Sequence, residues 1–132
     1  EYLGGDIRGK DVIVVDDIIA SGESMMDVAR KIREMGARRV FLFASFGLFC
    51  EGLEKIDEAY ENGYFDYLFT TNLVYRSPEL LSRKWFVEVN LTKYVALLID
   101  TLNHDRSISR LLSNAEKITN LQQAHMKHTE QN

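Results

Sequence analysis

The stretch Asp11-Val12-Ile13-Val14-Val15-Asp16-Asp17-Ile18-Ile19-Ala20-Ser21-Gly22-Glu23-Ser24 decides how this chain is read. Val12–Val15 is continuously apolar and β-branched, as expected of a parallel strand buried on both faces. Asp16 and Asp17 follow at the strand's end, and Ala20–Ser24 forms a short loop with two hydroxyls and a glycine. Beyond it, Met25, Val28, Ala29, Ile32 and Met35 recur at helical spacing. A helix is therefore expected over Ser24–Met35, with Gly36 as its stop.

The strand-then-helix alternation repeats downstream. Arg39–Ser45 reads as a second buried strand, and Gly52–Asn62 as a helix with Leu53, Ile56 and Tyr60 on one side. Tyr67–Thr70 is a short third strand. Ser77-Pro78-Glu79 is a helix start, with serine as N-cap and proline in the first turn, continuing through Leu80 and Leu81. Trp85–Val89 is a fourth strand. Asn90 or Thr92 then caps a long helix whose apolar positions are Tyr94, Val95, Leu97, Leu98, Thr101 and Leu102. Ser107–Leu112 adds one further turn. Such alternation implies an α/β fold with right-handed crossovers: a doubly wound, mostly parallel sheet in three layers, α/β/α. One domain is expected over residues 1–113, with a polar C-terminal tail over 114–132. Glu1–Gly5 reads as the end of a strand and a turn, so the chain is expected to be a piece of a longer protein.

Composition narrows the function classes. The chain has 132 residues, 45% hydrophobic and 27% charged, which suits a single globular domain. Sixteen Lys+Arg against 20 Asp+Glu leave a net charge of −4, the wrong balance for a protein that neutralises many nucleic-acid phosphates. The single Cys50 forms no internal disulfide, which fits a reducing, cytoplasmic setting. No apolar run approaches the ~20 residues of a membrane span, and no signal-peptide layout opens the chain. Neither nucleic acid nor membrane is expected as a partner.

Ligands of parallel α/β sheets bind at the carboxyl ends of the strands. A loop feeding a helix N-terminus there offers free backbone N–H groups and the positive end of the helix dipole to an anion. Each charge-assisted hydrogen bond to a phosphate oxygen contributes about 1.5–3 kcal/mol. Asp16 and Asp17, just upstream, alternate along a strand and need not point the same way, but in the turn both could reach the hydroxyls of a sugar whose phosphate sits on the loop. From the residues alone a bland reading stands beside this one: two solvated acids and an ordinary Ser-Gly turn. Gly22 by itself is no dinucleotide fingerprint, and no Walker-type loop exists. Elsewhere, His125 and His128 read as tail residues and His104 as a helix-end residue favouring the dipole. Cys50 reads as a small buried hydrophobe. Phe41, Phe43, Phe46, Phe49 and Phe69 read as core or sheet-end packing, and Arg30-Lys31-Ile32-Arg33-Glu34 as a solvated helix face.

Val14–Ser24 resembles the signature of the type I phosphoribosyltransferase fold: an apolar strand, two acidic residues, two apolar residues and a small hydroxyl-bearing loop. Other stretches are similar to the ribose-phosphate pyrophosphokinase (phosphoribosyl pyrophosphate synthetase) family. They are Gly5-Asp6-Ile7-Arg8-Gly9-Lys10, Ala44-Ser45-Phe46-Gly47-Leu48-Phe49, Thr70-Thr71-Asn72, and His104 with Ser107-Ile108-Ser109-Arg110-Leu111-Leu112. The resemblance covers about residues 4–113. It implies that Asp16 and Asp17 contact the ribose hydroxyls, partly through Mg²⁺. It also implies that Ala20, Ser21, Gly22, Glu23 and Ser24 hold the 5-phosphate of ribose 5-phosphate. The reaction implied is transfer of a diphosphoryl group from ATP to the anomeric hydroxyl, releasing AMP, in a protein that is a homo-oligomer at full length.

Three positions depart from the family pattern. Ala20 stands where an acidic residue is usual, and Phe46 where histidine is frequent. Glu23 puts a carboxylate inside the loop. Two unit charges ~4 Å apart repel by about 1 kcal/mol in water and ~4 near a protein surface, so Glu23 must point outward or weaken binding. A nucleobase phosphoribosyltransferase uses the same loop but needs a hood segment that is not evident here. A non-catalytic regulatory subunit of the same fold is the other alternative. No cluster of Lys or Arg lies near Asp16–Ser24 in sequence, so the catalytic groups stay unassigned and the chain alone is expected to fold without turning over.

Overall fold

The computed structural model describes residues 5–109, 118–119 and 122–123. Its elements alternate as expected: β1 (Asp11–Ile19), α1 (Glu23–Glu34), β2 (Arg39–Gly47), α2 (Glu54–Glu61), β3 (Tyr67–Thr71), α3 (Pro78–Leu81), β4 (Phe86–Val89) and α4 (Thr92–Asn103). The strands form one parallel sheet in the order β1-β2-β3-β4. The α/β class and the parallel sheet are therefore as read from the sequence. The chain divides into two units, one ending at Leu91 and one beginning at Thr92.

In the first unit the core lies on one face of the sheet. Val40, Leu42, Ala44 and Leu68 alternate along β2 and β3 toward Met25 and Ala29 of α1 and Ile56 of α2, all of them buried. The α1 stop is a Schellman motif: Gly36, at φ +89°, donates its N–H to the Arg33 carbonyl, and Ala37 donates to Ile32. The start of α3 also matches its sequence reading, with Ser77 Oγ accepting from the Leu80 amide at 3.1 Å.

Several expectations are corrected by the sheet order. Val12–Val15 is not buried on both faces, because β1 is an outer strand of the sheet. Ile13 and Val15 are 63% and 76% exposed. Phe41, Phe43 and Phe69 are not core: they alternate with the buried residues and stand half-buried on the opposite face. There Phe43 stacks on Phe69 with ring centroids 4.3 Å apart. Cys50 is exposed, on the loop after β2. Arg33 is no solvated residue of the α1 face: its guanidinium binds Asp66 at 2.7 Å and the Arg38 carbonyl at 2.6 Å. Asp66 also accepts from the Val40 amide, which fixes the start of β2.

In the second unit, Tyr94, Val95, Leu98 and Thr101 share the half-buried face of α4, whereas Leu97 and Leu102 are exposed. The His104 ring nitrogen lies 2.8 Å from the Asp100 carbonyl oxygen, at the helix end as expected. Positions 110–112 of the expected further turn lie outside the described residues. So do His125, His128 and most of the expected tail. Among the described residues no helix is long and apolar enough to cross a membrane.

Two interactions away from the carboxyl ends of the strands contribute to stability. Asp57 on α2 accepts from the Trp85 indole N–H at 2.7 Å and from Arg83 Nε at 3.0 Å. Removing it leaves a buried indole donor unpaired. Asp57→Ala is expected to lower stability by about 1–3 kcal/mol, read as a urea midpoint by the fluorescence of Trp85, the chain's single tryptophan. At the amino ends of β1 and β2, the Arg38 and Arg39 guanidiniums hold the Asp11 carboxyl well below the usual carboxylate range. A carboxyl depressed in the folded state stabilises above its unfolded pKa of about 4, and that contribution is lost as pH falls below it. Asp11→Asn should therefore be less stable than the parent at pH 7, with the gap narrowing below about pH 4 in paired thermal melts.

Candidate functional site

β1 does not end at Asp16. Its pairing with β2 continues through Ile18↔Phe46 and Ile19↔Gly47, so Asp16 and Asp17 stand inside the strand, three and two residues before its last residue. Val15, Asp16, Asp17 and Ile18 are exposed in succession. Each carboxylate accepts from the amide of the following residue: Asp17 N–H to Asp16 Oδ1 at 2.8 Å, and Ile18 N–H to Asp17 Oδ1 at 2.9 Å. Asp16 also lines a shallow groove across the carboxyl half of the sheet, together with Phe43, Ser45, Phe69, Thr71 and Val89.

Beyond Ile19 the chain turns through Ala20, Ser21 and Gly22 into α1. Two backbone hydrogen bonds prolong the parallel pairing past the strands, from Leu48 N–H to the Ile19 carbonyl at 2.8 Å and from Cys50 N–H to Ala20 at 2.9 Å. Gly22 is the N-cap, with φ +92°, and supplies no capping side chain. A Cβ there would lie 3.1 Å from Ile56 Cδ1, so the loop rests directly on α2. The Ser21 hydroxyl accepts from the Glu23 amide at a long 3.4 Å. The first-turn amides of α1, which lack intrahelical acceptors, thus meet no stronger cap in the loop. Ala20, Glu23 and Ser24 are exposed, Ser21 half-buried and Gly22 buried.

The Glu23 carboxylate is bound by Lys55 Nζ of α2, which also bonds Glu51 at 3.1 Å. These two carboxylates, Glu23 first, raise the Lys55 ammonium above its usual range. The fold therefore brings a cation beside the loop that sequence spacing did not show, already compensated by two acids. Only the Glu51–Lys55 pair, four residues apart at a helix start, was legible locally. Phe49, read from the sequence as core or sheet-end packing, packs against the core at the end of β2. It adopts a left-handed φ of +49°, which folds its ring over Gly47, where an added Cβ would lie 2.6 Å from the ring.

Fold and loop together define a parallel α/β domain with an uncapped strand-to-helix loop at the carboxyl end of its outer strand. Within that class, the chain belongs to the family described as the phosphoribosyl synthetase-associated domain, which it matches over residues 2–113. It is similar to the ribose-phosphate pyrophosphokinase of Shewanella oneidensis, 32% identical over 112 residues, or 85% of this chain and 35% of that protein. It is also similar to the enzyme of the same name from Pyrococcus abyssi, 44% identical over 55 residues, or 41% of this chain and 19% of that one. The chain spans about a third of the length of the first of these curated relatives. The crystal structure of phosphoribosylpyrophosphate synthetase from Mycobacterium smegmatis shares the fold. Its TM-score is 0.67 at 20% identity, covering 77% of this chain and 33% of that one.

The geometry of the loop predicts its sensitivity. Gly22→Ala should destabilise the chain by about 1–3 kcal/mol through backbone strain, and by more than Gly63→Ala. Gly63 also has a positive φ, of +71°, but an added Cβ there meets nothing within 4 Å. Equal urea midpoints for the two variants would show that Ile56 does not constrain the loop.

Proposed function

We propose that this chain is the sugar-phosphate-binding part of a ribose-phosphate diphosphokinase. In this reading the Ala20–Ser24 loop takes the 5-phosphate of ribose 5-phosphate, and Asp16 and Asp17 take its ring hydroxyls. The carrying observation is the Gly22 cap: a left-handed glycine without a capping side chain, at the β1–α1 junction of a chain in this family. An anion at that junction meets backbone donors and the positive end of α1.

The overall reaction is transfer of diphosphate from ATP to ribose 5-phosphate, giving phosphoribosyl pyrophosphate and AMP, with Mg²⁺ assisting. Mg²⁺ favours hard oxygen ligands and commonly sits on one or two carboxylates, completed by water and substrate oxygens. Asp16 and Asp17 suit that use, being exposed oxygen donors at adjacent positions. Among the described residues no group of three or more His, Cys, Asp or Glu gathers as a metal site, so the remaining ligands would come from water and the sugar phosphate. When bound, the ion would neutralise charge on the transferring phosphates. The protein's own part is positioning: the loop fixes the phosphate end and the two aspartates orient the sugar.

The test is titration calorimetry with ribose 5-phosphate, with and without Mg²⁺, on the chain and its Asp16→Asn/Asp17→Asn variant. Binding that strengthens with Mg²⁺ in the parent should weaken about tenfold or more in the variant, equivalent to about 1.4 kcal/mol. The urea midpoint should hold, because both side chains lie outside the core. Equal affinity in parent and variant would overturn the assignment. Preference for a free nucleobase over ribose 5-phosphate would point to nucleobase transfer.

A further inference from the structure

We propose that Lys55 is a positioning residue for the phosphate loop: it holds the Glu23 carboxylate aside so that the loop can accept an anion. The inference rests on the phosphate-loop reading above and concerns a residue thirty-two positions away from Glu23.

Two separate contacts make the start of α2 the back wall of this loop. Ile56 packs beneath Gly22, whose position tolerates no added carbon without crowding Ile56 Cδ1 at 3.1 Å. The neighbouring Lys55 reaches over to Glu23 Oε1 and, on its own side, to Glu51 Oε2 at 3.1 Å. Glu23 is the first residue of α1, and its amide belongs to the first turn that an anion would approach. A carboxylate at that position, left free, is a like charge beside a bound phosphate, and it can also compete for the same N–H groups. Lys55 answers both effects at once by fixing the side chain outward and cancelling one of two local negative charges. Without Lys55, Glu23 and Glu51 stand as two uncompensated acids at the mouth of the loop.

The pair is exposed on both sides, so it contributes little to folding. Binding and stability are therefore separable. Lys55 has a second conceivable role, as a direct phosphate ligand, and the two roles respond differently to removal of Glu23. A ligand's loss cannot be repaired by deleting the acid, whereas a positioning residue becomes dispensable once the group it positions is neutral.

The experiment is a calorimetric cycle on the full chain, with ribose 5-phosphate plus Mg²⁺ and, separately, inorganic phosphate as probes. Lys55→Ala should weaken both by roughly 3- to 30-fold, in keeping with a like charge a few ångströms from the anion. Lys55→Arg should retain most of the affinity. Lys55→Ala combined with Glu23→Gln should return to within about twofold of the parent, a rescue that a purely structural role would not produce. Trp85 fluorescence in urea checks that each variant is folded. Unchanged affinity in Lys55→Ala overturns the proposal while leaving the phosphate-loop reading intact. A double variant as weak as Lys55→Ala also overturns it, since Lys55 then touches the anion itself. A parent chain that binds neither probe removes the loop reading and this inference together.

Discussion

Gly22 sits at φ +92° with its α-carbon pressed toward Ile56, and the arrangement of the loop region follows from that contact. Ile56 is fully buried in the core shared by α1, α2 and the sheet. The point at which β1 hands over to α1 is therefore set by where α2 lies, not by the turn alone. The two hydrogen bonds from Leu48 and Cys50 to Ile19 and Ala20 tie the loop after β2 to the loop after β1. Gly47 makes that possible, because the Phe49 ring occupies the space a side chain would need. Both glycines leave room for a large side chain, Ile56 of α2 at Gly22 and Phe49 at Gly47.

What was legible in the sequence was local. The α1 stop at Gly36 and the Ser77-Pro78 start depend on residues within one helical turn, and both formed as read. The strand-to-helix alternation followed from periodicity, which each segment carries in itself. The errors all concern neighbours. Val12–Val15 has the composition of a doubly covered strand, but coverage depends on which strands and helices lie beside it, and β1 is outermost here. Asp16 and Asp17 read as the strand's end from the sequence alone. Pairing with Phe46 and Gly47 carries β1 three residues further. Arg33 looked like one more charge on a solvated face until Asp66, thirty-three residues on, supplied its partner. The turn from β1 into α1 was legible, although α1 begins at Glu23 and takes Glu23 and Ser24 from the expected loop, while Lys55 and Ile56 were not, since their link to the loop exists only in the fold.

The distribution of ion pairs gives the carboxyl ends of the strands their character. Arg38 and Arg39 are engaged with Asp11 at the amino ends of β1 and β2, Arg83 with Asp57 and Glu79, and Arg76 with Glu88. Lys55, the cation beside the loop, is shared between Glu23 and Glu51. Among the described residues neither Asp16 nor Asp17 pairs with a Lys or Arg, so their charge is met only by the neighbouring amides.

That asymmetry separates two kinds of acid at one strand end. Glu23 is bound by Lys55 of α2, which it shares with Glu51. Asp16 and Asp17 carry two uncompensated charges on adjacent residues. Two like charges so placed repel each other, and hydroxyl donors or a divalent cation relieve that repulsion more effectively than water does. A phosphate would be repelled by the same pair if it approached them directly, and is favoured instead at the amide end of α1. Under the proposed function, this strand end would receive the parts of one ligand according to charge. In the proposed reading, hydroxyls and an accompanying cation would sit at Asp16 and Asp17, and the anionic end would sit further on, at Gly22. A sugar phosphate presents those groups in that order, whereas a free nucleobase offers no anion for the loop.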